Sequence, residues 1–272
     1  MAEWLKVILL GLVEGVTEFL PISSTGHLIV VAALLDFNNS LNGTFEIFIQ
    51  IGAVFAVIWY YRADLYQQAR TLRTDQGVRR LWSGIFIAFL PAAWLGFLFA
   101  DTIEATLFSP EIVAMSLIFG GIVFLVVEKM PESPSDGSIV VTQLSDVTPR
   151  QALTIGLLQS LALIPGMSRS GVSIIGGLLA GLNRKTATQF SFYLAIPTLG
   201  GAATYKLLTA LDQIDVSSLG LLLLGTIVSG IVAWLSIEWL LRYVSRNSFI
   251  LFGYYRIVTG GLILALIALK VL

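Results

Sequence analysis

Long apolar stretches limit what this chain can fold into more than any other feature of its sequence. A helix needs about 20 residues to cross the roughly 30 Å apolar core of a bilayer. Four nearly uninterrupted segments have about that length, at residues 82–100, 112–129, 218–241 and 250–270. Two further segments, 43–61 and 188–210, contain a few polar residues and are also predicted to cross.

The same stretches decide between helices and strands. A bilayer cannot satisfy unpaired backbone groups, so only helices and closed barrels cross it. The segments lack the alternation of polar and apolar residues that is typical of barrel strands. The mean hydropathy of +0.87 and the 12% content of charged residues argue against a soluble domain. We therefore predict an all-α polytopic membrane protein.

Charged residues predict the orientation of these segments. Basic residues gather in alternate loops, at Arg70, Arg73, Arg79, Arg80, Lys129, Arg150, Arg184, Lys185, Arg242 and Arg246. The intervening loops contain Asp101, Glu104, Asp212 and Asp215 without any Lys or Arg. By the positive-inside rule, the basic loops are cytoplasmic. The net charge of −1 gives no argument for a nucleic-acid partner, and none is expected.

The chain contains an internal repeat. A shift of 145 positions aligns GLVEGVTEFLPISSTG (11–26) with GLLQSLALIPGMSRSG (156–171) without a gap. The last spans of the two halves also match, as FGGIVFLVVEK (119–129) and TGGLILALIALK (259–270). Three crossings per half place the start of the second half on the opposite side of the membrane, so we predict an inverted-topology repeat. We expect one integral-membrane domain, 1–272, made of repeat one at 1–130, a cytoplasmic linker at 131–147 and repeat two at 148–272.

Each copy opens with an apolar stretch that is interrupted by proline, glycine and hydroxyl residues. The interruptions read LPISSTGH in the first copy and IPGMSRSG in the second. Proline removes a backbone donor and glycine relaxes the backbone, so a helix is expected to break and restart at each interruption. We interpret residues 4–35 and 151–183 as re-entrant helical hairpins whose tips meet near the middle of the membrane.

The tips have the chemistry of an anion site. A helix that restarts inside the membrane presents unpaired amides and a partial positive charge. Arg169 adds a permanent cation that can bind phosphate oxygens in pairs. Hydroxyl donors and glycines that permit close approach complete the predicted substrate-binding set, which is Ser23, Thr25, Gly26, Ser168, Ser170 and Gly171, with Ser24 beside them. A structural salt bridge to Glu14 or Glu18 is the alternative role of Arg169.

Glu14 and Glu18 form the candidate metal site. They are four residues apart and project from one face of a helix, where two like charges repel unless a cation or a proton lies between them. A divalent cation, Mg²⁺ or Ca²⁺, suits two carboxylates, with phosphate oxygens and water completing the shell. The alternative is an exposed glutamate pair at the membrane surface. Glu46 and Gln50 show the same spacing and either line the cavity or pack helices.

His27, the only histidine of the chain, follows Ser24 by three residues and shares its helix face. A serine and a histidine within reach of each other allow nucleophile and base, or a histidine that protonates a leaving oxygen. A structural role for His27 is the alternative. Arg256 is close to the cytoplasmic end of the last span, and we expect it to extend its side chain to that surface.

The residues quoted above carry a resemblance to a known family. EGVTEFLPISSTGH and PGMSRSG, in this order and about 145 residues apart, resemble the two signature motifs of the bacterial undecaprenyl-diphosphate phosphatase family, which is associated with bacitracin resistance. The resemblance covers essentially the whole chain. It implies hydrolysis of the C55 isoprenoid diphosphate to the monophosphate and inorganic phosphate, which recycles the lipid carrier for cell-wall synthesis.

The resemblance also implies where the reaction takes place and which residues carry it. It places a divalent-cation-dependent active site in the bacterial inner membrane, open to the periplasmic side. Glu18, Ser24, His27 and Arg169 are the catalytic candidates by motif position. We favour Ser24 as the nucleophile with Glu18 or His27 as its base, and attack by water is the alternative. A homodimer is one oligomeric state that the sequence permits.

Two other functions compete with the phosphatase. Inverted repeats with broken helices are the plan of many secondary transporters, so a lipid-phosphate or anion transporter is the main alternative. A channel or a structural membrane protein is the third, and the polar tips argue against it. Release of phosphate from a prenyl diphosphate distinguishes the first function from the other two.

Overall fold

The structure, a computed structural model, describes residues 1–37, 44–130, 140–209 and 218–270. The helices in these ranges are α1 (Glu3–Thr17), α2 (Ser24–Leu34), α3 (Thr44–Tyr60), α4 (Arg62–Thr71), α5 (Gln76–Leu107), α6 (Pro110–Val127), α7 (Pro149–Gln159), α8 (Arg169–Leu179), α9 (Arg184–Thr209), α10 (Leu219–Val244) and α11 (Ile250–Ala268). Short 3-10 helices cover Leu144–Asp146 and Ser160–Leu163. The described residues contain no strand beyond one isolated bridge between Val141 and Leu182.

The long helices confirm a helical, polytopic membrane protein. Four of them, α5, α6, α10 and α11, are long and apolar enough to cross a bilayer. The other two predicted crossings are also helical, as α3 with 17 residues and α9 with 26. A bend of 66° separates α3 from α4. Helix α5 runs well past its apolar segment, because Asp75 caps its first turn by accepting hydrogen bonds from the amides of Gly77 and Val78.

The two interrupted segments fold back on themselves as predicted. In the first, α1 ends at Thr17 and α2 begins at Ser24. The Lys6 ammonium donates to the Asp36 carbonyl at 2.9 Å, so the start of α1 lies beside the end of α2. In the second hairpin the Gln151 amide donates to the Ala180 carbonyl at 2.8 Å, which joins the start of α7 to the end of α8.

Glycines let the helices approach closely, as is common between helices in membranes. The tightest case is the pair α6 and α11, where a side chain at Gly121 would lie 2.7 Å from the Gly253 carbonyl oxygen. Helix α1 packs against α10 and α7 packs against α5 in the same way, through Gly15 and Gly156. Each hairpin therefore lies on a helix from the other half of the chain.

Several basic loops meet at one end of the bundle. Arg184 pairs with the buried Glu128 at 2.6 Å, and Glu128 also accepts from the Phe249 amide at 2.8 Å, which joins α6, α9 and α11. Residues 131–139 of the predicted linker, and Asp212 and Asp215, lie outside the described residues. The rest of the linker packs on the protein, since Val141 pairs with the backbone beside Leu182 and Val147 is buried.

Candidate active site

The hairpin tips share an unusual backbone conformation. Ser23 has φ 72° and ψ 100°, and Ser168 has φ 68° and ψ 113°. Positive φ is uncommon for serine and costs free energy, so its occurrence at two positions 145 residues apart is notable. Each serine hydroxyl caps the helix that follows, accepting from the Gly26 amide at 3.4 Å and from the Gly171 amide at 3.1 Å.

Hydrogen bonds join the two tips directly. The Ser170 hydroxyl is fully buried and lies 3.2 Å from the Glu18 carbonyl oxygen and 3.0 Å from that of Leu20. The Ser168 hydroxyl is 3.1 Å from the Ser170 hydroxyl. These two predicted substrate-binding serines are thus hydrogen-bonded within the protein, whereas Ser24, Thr25 and His27 on the first hairpin are only half-buried.

Glu18 forms the ion pair that joins the two hairpins. One carboxylate oxygen accepts from the Ser24 hydroxyl at 2.6 Å, and the other accepts from the Arg169 guanidinium at 3.0 Å. The distance to Ser24 is in the range of charge-assisted hydrogen bonds between a hydroxyl and a carboxylate. Glu18 is 6% exposed, so both contacts are formed away from bulk water. The predicted meeting of the carboxylates and the guanidinium is present in the structure.

Arg169 is held on three sides, and one of its three nitrogens has no hydrogen-bond partner among the described residues. One terminal nitrogen binds Glu18, and the other donates to the carbonyl and the hydroxyl of Ser191 at 3.2 and 3.4 Å. The guanidinium carbon lies 5.4 Å from the centroid of the Phe19 ring. The nitrogen without a partner is the buried Nε.

Ser173 and Ser191 support this arginine, and neither residue was predicted from the sequence. Their hydroxyls are 2.7 Å apart, and the Ser173 hydroxyl also donates to the Arg169 carbonyl at 2.8 Å. Both serines are buried, on α8 and α9. The polar residues within the predicted span 188–210 could have indicated Ser191, because a hydroxyl inside an apolar helix needs a partner.

Glu14 is buried in the same cluster as Glu18. It is 3% exposed, and the negative charges of Glu18 and Glu46 and the positive charge of Arg169 act on it electrostatically. The alternative of an exposed glutamate pair is therefore wrong. Within the described ranges no three or more histidine, cysteine or acidic residues form a group that could hold a metal ion.

The ring nitrogens of His27 bond to neither Ser24 nor Glu18. Its Nδ1 is 2.7 Å from the Ser23 carbonyl oxygen, and its Nε2 is 2.7 Å from the hydroxyl of Tyr255 on α11. The two rings are nearly parallel, at 8°, with centroids 5.6 Å apart. The partner of the Ser24 hydroxyl is thus Glu18 and not His27, although Ser24 and His27 lie one turn apart on the same helix.

The expectation that Arg256 extends to the cytoplasmic surface is wrong. Arg256 is 0% exposed and donates to four backbone carbonyls. Those of Pro21 and Gly166 belong to the two hairpin tips, at 3.2 and 3.0 Å, and those of Ser116 and Leu117 belong to α6, at 3.3 and 3.4 Å. The broken tips leave carbonyls without helical partners, and a guanidinium with five donors satisfies them better than any other side chain.

A cavity of about 300 Å³ occurs elsewhere, between α4, α5 and α9, with Tyr61, Gln68 and Tyr193 in its wall. It includes none of the predicted site residues. The candidate site is instead the junction of the two tips, where the groups that carry chemistry contact one another.

The sequence matches a known family over nearly its full length. The family model described as bacitracin resistance protein BacA matches residues 7–262. An undecaprenyl-diphosphatase of Albidiferax ferrireducens is 48% identical over 261 residues, covering 96% of this chain and 94% of that protein. An undecaprenyl-diphosphatase of Deinococcus radiodurans is 47% identical over 276 residues, covering 99% of this chain and 97% of that protein. With the paired tips and the Glu18–Arg169 contact, these matches show that the chain belongs to the bacitracin resistance protein BacA family.

Proposed function

We propose that this protein is an integral-membrane phosphatase that hydrolyses undecaprenyl diphosphate to undecaprenyl phosphate and inorganic phosphate. The names of the relatives supply the substrate. One observation of the structure carries the chemistry, namely a buried carboxylate, Glu18, held between the hydroxyl of Ser24 and the guanidinium of Arg169. A hydroxyl, a base and a fixed cation are the parts that transfer of a phosphoryl group requires.

The terminal phosphate of the substrate would bind between the tips. The unused Nε of Arg169 offers one donor, and the N-termini of α2 and α8 add backbone amides and partial positive charge. Arg169 is bound to Glu18 in the structure, so phosphate oxygens would compete with Glu18 for the guanidinium. That competition would leave Glu18 free to accept a proton from Ser24.

Ser24 is the proposed nucleophile. Its oxygen forms a bond to the terminal phosphorus, its proton passes to Glu18, and the bond from phosphorus to the bridging oxygen breaks. The leaving group is undecaprenyl phosphate. His27 lies one helical turn from Ser24, about 5 Å along the axis, and its protonated ring is proposed to donate the Nε2 proton to the leaving oxygen. Water then attacks the phosphorus, Glu18 returns its proton to the departing Ser24 oxygen, and inorganic phosphate leaves with both protons of the water.

A divalent cation fits the remaining charge of the site. Glu14 is buried, and its carboxylate accepts no hydrogen bond from the described residues, while Glu18 lies beside it. Two buried carboxylates and phosphate oxygens offer the hard oxygen ligands that Mg²⁺ and Ca²⁺ prefer. Glu14 is the residue that would hold the ion, with Glu18 as a second ligand. When bound, the ion would neutralise charge on the phosphoryl group.

The inverted repeat and the orientation belong to the same proposal. The 145-residue offset brings Ser23 and Ser168 into register with the same positive φ and the same capping bond. The packing of α1 on α10 and of α7 on α5 supports two hairpins that enter from opposite faces, each with three crossings in its half of the chain. Basic residues around α6, α9 and α11 support a cytoplasmic location for that end in the bacterial inner membrane, with the first hairpin and the active site open to the periplasm.

Ser24→Ala tests the proposed nucleophile. We expect the turnover rate of the purified protein on a short-chain prenyl diphosphate to fall by at least roughly 10³-fold, because the covalent route is lost. Rapid quenching of the wild type during turnover should trap phosphate on Ser24, detectable by mass spectrometry of the peptide. Ser236→Ala is the matched control, since this buried serine on α10 bonds only within its own helix.

The outcomes separate the competing functions. Full activity of Ser24→Ala would remove this residue from the chemistry and favour attack by water. A wild type that binds the lipid but releases no phosphate would contradict the phosphatase and favour the transporter.

A further inference from the structure

The side chain of His27 is fixed by a residue outside both motifs. Tyr255 lies on α11, 228 positions away along the chain, and its hydroxyl is 2.7 Å from the His27 Nε2. The rings are nearly parallel at 8°, with centroids 5.6 Å apart. None of the sequence features that identify the hairpins points to Tyr255.

The hydrogen bonds of His27 determine which nitrogen carries its proton. The Nδ1 lies 2.7 Å from the Ser23 carbonyl oxygen, which can only accept, so Nδ1 must carry a hydrogen. The Nε2 of the neutral ring is then an acceptor, and the Tyr255 hydroxyl donates to it. Once the ring is protonated at Nε2, the same tyrosine oxygen can accept. Tyr255 therefore satisfies the reactive nitrogen in either protonation state.

Helix α11 holds Tyr255 in a fixed position. The next residue, Arg256, is buried and binds the carbonyls of both hairpin tips. Gly253 packs tightly against α6, where a side chain at Gly121 would meet its carbonyl at 2.7 Å. The helix that binds the tips therefore also carries Tyr255. This fixes the Tyr255 hydroxyl at one end of the imidazole relative to the Ser23 carbonyl at the other end.

We propose that Tyr255 is a positioning residue of the active site. Its hydroxyl holds the orientation of His27, whose tautomer is set by the Ser23 carbonyl, so that Nε2 is the nitrogen that gives a proton to the leaving lipid phosphate. The role assigned to Tyr255 depends on the proposed role of His27. The tyrosine hydroxyl occupies the hydrogen-bonding direction of Nε2. During the reaction the leaving oxygen of the substrate shares the Nε2 hydrogen with the tyrosine oxygen, and the bond to Tyr255 keeps the imidazole oriented.

The kinetic test uses Tyr255→Phe, which removes the hydroxyl and keeps the ring. We expect the turnover rate on a short-chain prenyl diphosphate to fall by roughly 3- to 10-fold, the effect of one lost hydrogen bond, while KM changes by less than about twofold. Tyr254→Phe is the matched control, because Tyr254 is exposed, has no hydroxyl partner among the described residues and should keep wild-type activity. Melting temperatures of both variants should equal that of the wild type.

Combining substitutions shows whether Tyr255 acts through His27. His27→Ala alone should lower turnover, and His27→Ala with Tyr255→Phe should be no slower than His27→Ala. Wild-type turnover in His27→Ala would contradict the proposed role of His27. A slow His27→Ala with a fully active Tyr255→Phe would contradict only the role of Tyr255. Additive losses would also contradict it, since Tyr255 would then act independently of His27.

A spectroscopic measurement tests the geometry without any kinetic assay. His27 is the only histidine of the chain, so protein labelled with ¹⁵N-histidine gives one pair of imidazole resonances. We expect the neutral ring to carry its proton on Nδ1, and the Nε2 resonance to move in Tyr255→Phe and stay in place in Tyr254→Phe. A neutral ring protonated on Nε2 would overturn the proposal.

Discussion

The two hairpins have the same backbone and carry different side chains. Ser23 and Ser168 cap their helices from the same positive-φ conformation. The next residue is Ser24 in the first hairpin and Arg169 in the second, and both side chains contact the same carboxylate of Glu18. The first hairpin supplies the hydroxyl and the negative charge, and the second supplies the positive charge.

This difference explains why neither hairpin forms the site alone. Glu18 has Leu163 at the matching position of the second hairpin, and Glu14 has Gln159 there. Only the first copy carries carboxylates, and only the second carries an arginine at its tip. A buried carboxylate is costly without a partner, and so is a buried guanidinium. The Glu18–Arg169 pair, 151 residues apart, therefore links the chemistry of the site to the docking of the two halves.

Arg169→Ala removes the contribution of the second hairpin and has the largest expected effect. We expect kcat/KM for a short-chain prenyl diphosphate to fall by roughly 10³-fold, because the fixed cation is lost and Glu18 is left buried without it. Arg169→Lys keeps the charge without the planar fork, so its kcat/KM should lie between those of the wild type and Arg169→Ala. Phosphate release by purified protein measures both. A loss smaller than tenfold in Arg169→Ala would show that the second hairpin contributes little to the reaction.

Arg256→Met removes the residue that both hairpins share, and its effect should be mainly on stability. The buried guanidinium satisfies carbonyls of Pro21 and Gly166, so we expect a destabilisation of about 3 kcal/mol and a lower melting temperature in detergent. The same substitution at Arg242 is the control. Arg242 is exposed and pairs with Glu238 on its own helix, which contributes little. Equal melting temperatures for the two variants would contradict the role of Arg256 at the tips.

Glu14 and Gln159 give the finest comparison, because they occupy matching positions in the two copies. We expect Glu14→Gln to raise the Mg²⁺ concentration for half-maximal activity by roughly tenfold, since a hard anionic ligand is lost. The side chain of Gln159 is buried and its polar atoms have no partner among the described residues. Gln159→Leu should therefore stabilise the protein by about 1 kcal/mol without changing the Mg²⁺ response.

Titration of activity with Mg²⁺ and thermal unfolding measure the two effects. An unchanged Mg²⁺ dependence in Glu14→Gln would contradict the carboxylate-pair site. A destabilised Gln159→Leu would show that the second copy uses its glutamine for packing or for a bound water.

Much of the architecture could be predicted from local properties of the sequence. Apolar runs of helical length, such as 112–129 and 250–270, gave α6 and α11. Proline and glycine at Pro21 and Gly166 marked the breaks of both hairpins. The motif residues Glu18, Ser24 and Arg169 were predicted as site candidates, and in the structure Ser24 and Arg169 both bond to Glu18.

The sequence alone determined that this chain is a helical membrane protein and where its helices break. Hydropathy and backbone restriction are local properties, set by residues that are neighbours in the chain. Tertiary structure decided the partners. It buried Arg256 among carbonyls, gave the Ser24 hydroxyl to Glu18 instead of His27, and brought Ser191 and Tyr255 to the site. Such contacts join residues far apart in the chain, and they are set by how closely glycine-containing helices pack rather than by any local pattern.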